Sequence, residues 1–308
     1  MRYLLIGDIH LRTKSVPDFL KLKETIFDLL SSQDISSIVF MGDLLDTNDI
    51  VRVSLHVMLT DFITELSEYK VFILIGNHDY ASPTQFLTDK HIFGPLKKWK
   101  NVWVVDEPLI CGDTLMVPYV PPGKFQDALT DIDLGGIKRI FCHQSFLPVV
   151  KFSEDYWDPK NPIKIYSGHI HDSCRGKNIF YTGSSLQVSV VENPNKKLWV
   201  LDGDSLEPIP LKIKGVLTKK CTASDIFDLK LSKLHDNRIV VRGTREEYRK
   251  LHRKTEYKLL EESARIEWDY IEESLSKEQK GYCKIDFRTS LNRLLTEEES
   301  RFLSKLGI

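Results

Sequence analysis

Aspartate, asparagine and histidine recur in five short clusters: Asp8 with His10, Asp43 with Asp46, Asn77 with His78 and Asp79, the single His143, and His169 with His171. Five of the nine histidines of the chain lie in these clusters, so they hold most of its imidazole. Oxygen and imidazole donors without thiolate suit manganese, iron or zinc, with no strong discrimination among them. So many donors exceed what one ion needs. They suit two ions about 3.5–4 Å apart that share a carboxylate, an arrangement that hydrolyses phosphoesters. Two cations acidify a bridging water, neutralise the phosphate and hold it in line for attack. Taken singly, each cluster has a plainer explanation. Asp43 and Asp46 could start helices, Asn77 and Asp79 could be turn residues, and a lone histidine is more often a satisfied, partly buried side chain. The conjunction is what points to chemistry, because each cluster follows an apolar run.

Those runs are the elements that must position the clusters. Tyr3-Leu-Leu-Ile6, Ser37-Ile-Val-Phe-Met41 and Val71-Phe-Ile-Leu-Ile75 read as strands buried on both faces. Lys138-Arg-Ile-Phe-Cys-His143 and Ile163-Lys-Ile-Tyr166 precede the last two clusters. Between the first three strands lie Phe19, Leu22, Ile26, Leu29 and Leu30 at helical spacing, and a second expected helix from about Asp49 to Ser67. Alternating strand and helix implies a parallel sheet with right-handed crossovers, and ligands bind such sheets at the carboxyl ends of the strands. Residues 82–100 read as loop and helix covering the site, 102–105 and 109–120 as strands with a Gly112-Asp113 turn, and 124–131 as a helix. Residues 144–162 read as a long irregular loop, and 179–213 as short strands forming an antiparallel second sheet. The fold class expected is α/β, a four-layer α/β/β/α sandwich bearing a small α/β cap and a C-terminal helical tail.

Composition adds bounds. The chain has 308 residues, 42% hydrophobic and 28% charged, ordinary for a globular protein. No apolar run reaches transmembrane length, and the N-terminus starts directly in a strand without a small-residue cleavage site, which argues against a signal peptide. Five scattered cysteines, never in C-x-x-C spacing, argue for free thiols and against a disulfide scaffold or zinc ribbon. The expected localisation is cytoplasmic. The net charge is −1, but residues 212–258 hold fourteen Lys/Arg against six Asp/Glu, so a basic appendage sits on an acidic body.

The order G-D-x-H, G-D-x-x-D, G-N-H-D, lone His and G-H-x-H resembles the calcineurin-like metallophosphoesterases over residues 7–171. The resemblance implies that Asp8, His10, Asp43 and His171 hold a first metal. Asp43, Asn77, His143 and His169 then hold a second, with Asp43 bridging. It implies that His78 is no ligand but stands over the leaving oxygen as general acid or charge stabiliser, its imidazole oriented by Asp46. The cofactors implied are two divalent ions, manganese foremost, with magnesium, iron or zinc as alternatives. Gly42-Asp-Leu-Leu-Asp-Thr47 lacks the arginine with which protein phosphatases clamp a phosphomonoester. Together with Asp8-Ile-His-Leu11, Gly76-Asn-His-Asp79 and Tyr181-Thr-Gly-Ser184, it is similar instead to the SbcD type of DNA repair nuclease, nearest in length to the bacteriophage recombination nuclease subunits. Arg12 and Cys142 stand where that type carries glycines, and Ser185 where it carries proline.

That likeness implies domains at 1–211 (nuclease), 212–271 (basic cap contacting DNA), 272–284 (linker) and 285–308 (a helix-loop-helix tail gripping an SbcC-type SMC-like ATPase). Within the cap, Thr244-Arg-Glu-Glu247 reads as a capping box opening one helix to about Glu262. Candidate DNA contacts are Arg12, Lys14, Arg245, Arg249, Lys250, Arg253, Lys254 and Lys258. Candidate partner contacts are Phe287, Leu291, Leu294, Phe302, Leu303 and Leu306. A homodimer is expected, through residues 49–67 with Val53, Val57 and Phe62. The function expected is a two-metal DNA exonuclease and endonuclease beside an SMC-like ATPase. The alternatives are a phosphoesterase for a small nucleotide or protein phosphoester, and a non-catalytic scaffold on DNA ends.

Overall fold

The computed structural model describes residues 1–271. Two compact units are present: Met1–Thr218 with Leu231–Arg238, and Lys219–Lys230 with residues 239–271. The proposed linker 272–284 and tail 285–308, with the partner candidates from Phe287 to Leu306, lie outside the described residues.

The first unit is two stacked six-stranded sheets. In the first, β1 (Arg2–Ile6), β2 (Ser37–Phe40), β3 (Lys70–Leu74) and β4 (Val102–Val105) run parallel. In the second, β5 (Leu109–Cys111) pairs antiparallel with β6 (Thr114–Val117) across the Gly112-Asp113 turn. Parallel β7 (Arg139–Cys142) and β8 (Lys164–Ser167) follow. The sheet closes with β9 (Cys174–Arg175) antiparallel to β10 (Ile179–Tyr181), in the order β5-β6-β7-β8-β10-β9. Strands β11 (Lys197–Asp202) and β12 (Ser205–Pro210) do not build the second sheet expected from the sequence. Their hairpin adds to the free edge of β1 in the first, giving β12-β11-β1-β2-β3-β4. Trp199 and Leu201 on β11 supply the apolar face that this edge requires.

Strand periodicity divides the residues between layers. Tyr3, Leu5, Val39, Met41, Phe72 and Leu74 meet Met116, Phe141, Tyr166 and Phe180 between the sheets. Their neighbours Leu4, Ile6, Ile38, Phe40, Val71 and Ile73 face the helices α1 (Val16–Ser32) and α2 (Val53–Leu66). α1 buries Phe19, Leu22, Ile26, Leu29 and Leu30, and α2 buries Leu55, Leu59, Phe62, Ile63 and Leu66, one apolar stripe each. α2 starts at Val53 rather than near Asp49. The Asn48 amide is held outside it, donating to the carbonyls of Asn77 and Tyr80, and Arg52 is extended as the N-cap.

The fourth layer is thinner than the expected sandwich. Among the described residues its α-helix is α3 (Phe125–Ala128), one turn long, and the 144–162 loop packs beside it. Phe125, Phe146 and Trp157 pack there on Ile140, Cys142 and Ile165. Asp155 holds the loop to α3 by accepting from the backbone N–H groups of Gly123 and Phe125.

The second unit is built on a sheet of order β13 (Val216–Thr222), β14 (Asp236–Gly243), β15 (Arg265–Tyr270). The Thr244 hydroxyl accepts from the Glu247 N–H and the Glu247 carboxylate from the Thr244 N–H, so the capping box is present. The helix it opens is not continuous. α4 (Arg245–Leu251) stops at His252, Lys254 is extended, and α5 (Thr255–Ser263) begins anew. The break turns Leu251 and Tyr257 inward together and leaves Leu259 exposed.

Candidate metal centre

Parallel pairing in register brings the clusters to one edge. Ile6 lies beside Phe40 and Phe40 beside Ile73, and β3 runs one residue further to Leu74 beside Val105, so Gly7, Met41 and Ile75 follow the strand ends at one edge. Cys142 lies beside Ser167, which delivers His143 and Gly168 side by side from the second sheet. Each of these strands ends on a buried residue, and the polar cluster follows within three positions. The site therefore sits where hydrogen bonding along the sheet ends.

The seven predicted ligands converge there in two sets around Asp43. In the first, His10 Nε2 lies 3.1 Å from His171 Nε2 and 3.5 Å from Asp43 Oδ2, and His171 Nε2 is 3.7 Å from Asp8 Oδ2. In the second, His143 Nε2 is 3.2 Å from Asp43 Oδ2 and 3.1 Å from Asn77 Oδ1, which is 2.9 Å from His169 Nδ1. Asp8, His10, Asp43 and His143 are buried. His10, Asp43 and His169 all have positive φ, 44°, 50° and 72°. Left-handed backbone at non-glycine residues is costly and concentrates at functional sites.

The donor chemistry fits cations. His143 Nδ1–H donates to the Met41 carbonyl at 2.7 Å and His171 Nδ1–H to Glu192 at 2.9 Å. Their Nε2 atoms then face carboxylate and amide oxygens, contacts that need either a proton or a bound cation between the atoms. Donors about 2.0–2.2 Å from a shared ion sit roughly 3–3.5 Å from each other, close to the 2.9–3.7 Å found here. The field points the same way. Burial alone would lower His143, but the carboxylates of Asp43 and Asp8 outweigh it and lift it to about 10. Against its own burial, Asp43 is held well below the usual carboxylate range by His143 and His10. Burial, then the neighbouring His143, pushes His169 down to about 3, leaving it neutral as a ligand must be.

His78 is half-buried. Its backbone N–H donates to Asp43 Oδ1 at 2.8 Å, and its Nδ1–H donates to the backbone carbonyl of Asp46 at 2.9 Å. Asp46 therefore does orient His78, but not with its carboxylate. That group stands 3.3 Å from His10 Nδ1 and 2.5 Å from Arg12 Nη2. Arg12, a candidate DNA contact, spends its guanidinium on Asp46 and on the Val188 carbonyl at 3.0 Å. Lys14, Arg245, Arg249, Lys250, Arg253, Lys254 and Lys258 are exposed. Among them Lys250 pairs with Glu246, while Arg245 and Lys254 lie over the rings of Tyr270 and Phe227. Of the dimer candidates, Val53 and Val57 are exposed, but Phe62 is core, ringed by Phe19, Phe27 and Phe40.

Three residues that carry the site escaped the sequence reading or were left without a role. Asp79 accepts from Leu44 N–H at 3.0 Å, Leu45 N–H at 3.3 Å and Gly76 N–H at 3.0 Å, lashing the second cluster to the third. Burial and then Asp43 push its carboxyl up to about 7, with these backbone donors pulling the other way. Glu192 holds His171 from a loop with no motif of its own. Its burial opposes ionisation, but hydrogen bonds from His171 and Lys196 hold it at about 2. Ser185 uses what a proline lacks: its N–H donates to the Asp8 carbonyl at 2.9 Å, and its hydroxyl donates to the Gly7 carbonyl.

Comparison with known proteins agrees with this geometry. The sequence profile of the calcineurin-like phosphoesterases matches residues 1–208. The chain is 33% identical over 283 residues to "Putative phosphoesterase 078R" of invertebrate iridescent virus 3, covering 84% of this chain and 81% of that one. It is 32% identical over 272 residues to "Putative phosphoesterase 244L" of invertebrate iridescent virus 6, covering 80% and 96%. Among solved structures, Pseudomonas putida nuclease MPE aligns over 67% of this chain and 87% of its own, with 14% identity and a TM-score of 0.37.

Proposed function

The chain belongs to the calcineurin-like phosphoesterase family, and within it we propose a two-metal phosphodiesterase acting on DNA. The observation that carries the chemistry is the pair of ligand sets joined at Asp43, with His78 at their margin. Divalent cations bound there supply Lewis acidity, acidifying a water and neutralising phosphate charge. Asp8, His10 and His171 with Asp43 would hold one, and Asn77, His143 and His169 with Asp43 the other. His78 lies at the third vertex of the His10–Asp43 group. With Nδ1–H committed to the Asp46 carbonyl, its Nε2 is the edge left, and in the imidazolium form the Nε2–H would stabilise or protonate a leaving oxygen.

Two features support a diester over a monoester. Thr47 and Asn48 stand where a phosphatase would place its arginine clamp, and Asn48 is tied to Asn77 and Tyr80. A pocket of about 320 Å³ runs beside the Arg12–Asp46 pair, and Lys14 and Arg52 in its lining give it a basic approach suited to a phosphate backbone. The exposed basic residues of α4 and α5 support DNA in the same way. The SbcD-type resemblance supports a nuclease subunit paired with an SbcC-type ATPase and itself dimeric. No described helix is long and apolar enough to cross a membrane.

The test is manganese-dependent degradation of linear double-stranded DNA, run beside an aryl phosphate, for wild type and Asp8→Ala. DNA cleavage lost in Asp8→Ala is the expected result. Aryl phosphate turnover with intact DNA would replace this reading by a small-substrate phosphoesterase. Bound DNA without any turnover would replace it by a scaffold.

A further inference from the structure

We infer that Glu192, braced by Lys196, is a positioning residue for His171 and thereby for one of the two cations. This rests on the two-cation reading of the site.

The Glu192 side chain is 9% exposed and every direction around it is filled by a donor. Oε1 accepts from His171 Nδ1 at 2.9 Å and from the Ser189 N–H at 3.0 Å. Oε2 accepts from the Val188 N–H at 3.1 Å, from Lys196 Nζ at 2.9 Å and from the Ser184 hydroxyl at 3.4 Å. A buried carboxylate is costly unless paired and fully hydrogen-bonded, and this one is both. Lys196, itself only 6% exposed, does more than neutralise it. Its ammonium also donates to the backbone carbonyl of His171 at 3.0 Å and to the Ser184 hydroxyl at 2.8 Å. His171 is thus gripped at both ends, at the ring by Glu192 and at the main chain by Lys196.

The consequence falls on Nε2. A carboxylate on Nδ1–H fixes the tautomer, aims the Nε2 lone pair at Asp8 and His10, and makes it a stronger donor to a cation. The second set has no such partner at the matching place, because His143 Nδ1–H meets the neutral carbonyl of Met41. Loss of Glu192 should therefore loosen the set of Asp8, His10 and His171 while sparing that of Asn77, His143 and His169.

The experiment is manganese binding to the full chain after chelator treatment, read by calorimetry and by metal content. Wild type should take up two equivalents. In Glu192→Gln one equivalent should weaken by about 10–100-fold, the usual effect of losing such a partner, with the other unchanged. His171→Ala should lose the same equivalent, and the double variant should lose nothing further at that site, since both act through one ligand. Two equivalents of wild-type affinity in Glu192→Gln, or a double variant whose losses add, would overturn the inference. A wild type that takes up no manganese would instead sink the two-cation reading and this inference with it. Should Glu192→Gln fail to fold, Glu192→Asp carries the test: the shorter carboxylate should weaken the same equivalent by a smaller factor, and unchanged binding would overturn the idea.

Discussion

Replacing Asp79 by alanine should cost more than any ligand substitution, even without metal. Among the described residues, its carboxylate is the hydrogen-bond partner of three buried N–H groups, those of Leu44, Leu45 and Gly76. Orphaning a buried donor costs about 1–3 kcal/mol. The bond to Leu45 is long, and water can enter the space left by the side chain, so the sum falls near 3–6 kcal/mol rather than at the top of the range. At roughly 2–4 °C per kcal/mol for a domain of this class, the melting temperature should fall by about 10–15 °C. The assay is thermal unfolding by circular dichroism in excess chelator, so that no metal contributes. Asp79→Asn separates two contributions. Its carbonyl still accepts from Leu44 and Leu45, but its NH2 then meets the Gly76 N–H donor to donor, so about half the loss remains. Manganese binding should weaken at both equivalents in the alanine variant, because Asp79 joins the loops of Asp43 and Asn77. Melting of Asp79→Ala within about 2 °C of wild type would refute the reasoning and return Asp79 to an ordinary turn residue.

Other expectations follow from the same contacts. Phe62→Ala should destabilise by about 3–5 kcal/mol in denaturant unfolding, since the ring is fully buried among Phe19, Phe27 and Phe40. Asp106, despite its burial, is held below the usual carboxylate range by His91 and Lys97. Its contribution is present above the unfolded carboxylate value and is lost as pH falls through the depressed folded one. Asp106→Asn should therefore flatten the acid side of a melting curve against pH, below about pH 4. Ser185→Pro removes the N–H that holds the Asp8 carbonyl and should cost about 1 kcal/mol in the metal-free chain, with weaker manganese binding.

Much of the first unit was legible because strand ends are loud in sequence. An apolar run that stops abruptly at Gly-Asp or Gly-Asn-His marks both the buried strand and its open end, and parallel register brings such ends together without further information. What stayed illegible depends on partners far along the chain. The edge to which β11 and β12 attach is chosen by β1, nearly two hundred residues earlier, and no local pattern distinguishes the first sheet from the second. The break between α4 and α5 is equally silent, since His252-Arg-Lys254 contains neither glycine nor proline. Tertiary packing of Leu251 and Tyr257 outweighs a weak local propensity. Asp46 shows the limit within a motif. Its position was legible, but which of its atoms faces His78 was not, because Arg12 and His10 compete for the carboxylate and leave only the carbonyl.

The glycines of the motifs show how the site is specified between clusters rather than within them. Gly76 reads locally as half of a common Gly-Asn turn, yet a Cβ there would strike the carboxylate and backbone nitrogen of Asp43. A Cβ at Gly168 would meet the Met41 carbonyl, Asp8 Oδ1 at 2.7 Å and His143 Nδ1 at 2.8 Å. Each glycine thus clears space for a ligand that another strand delivers. The same crowding explains why His10, Asp43 and His169 tolerate left-handed backbone: the surrounding loops, tied through Asp79, Ser185 and Glu192, leave them no relaxed alternative. The positions of these side chains are therefore set by hydrogen bonds of the protein itself, reaching from one cluster to the next.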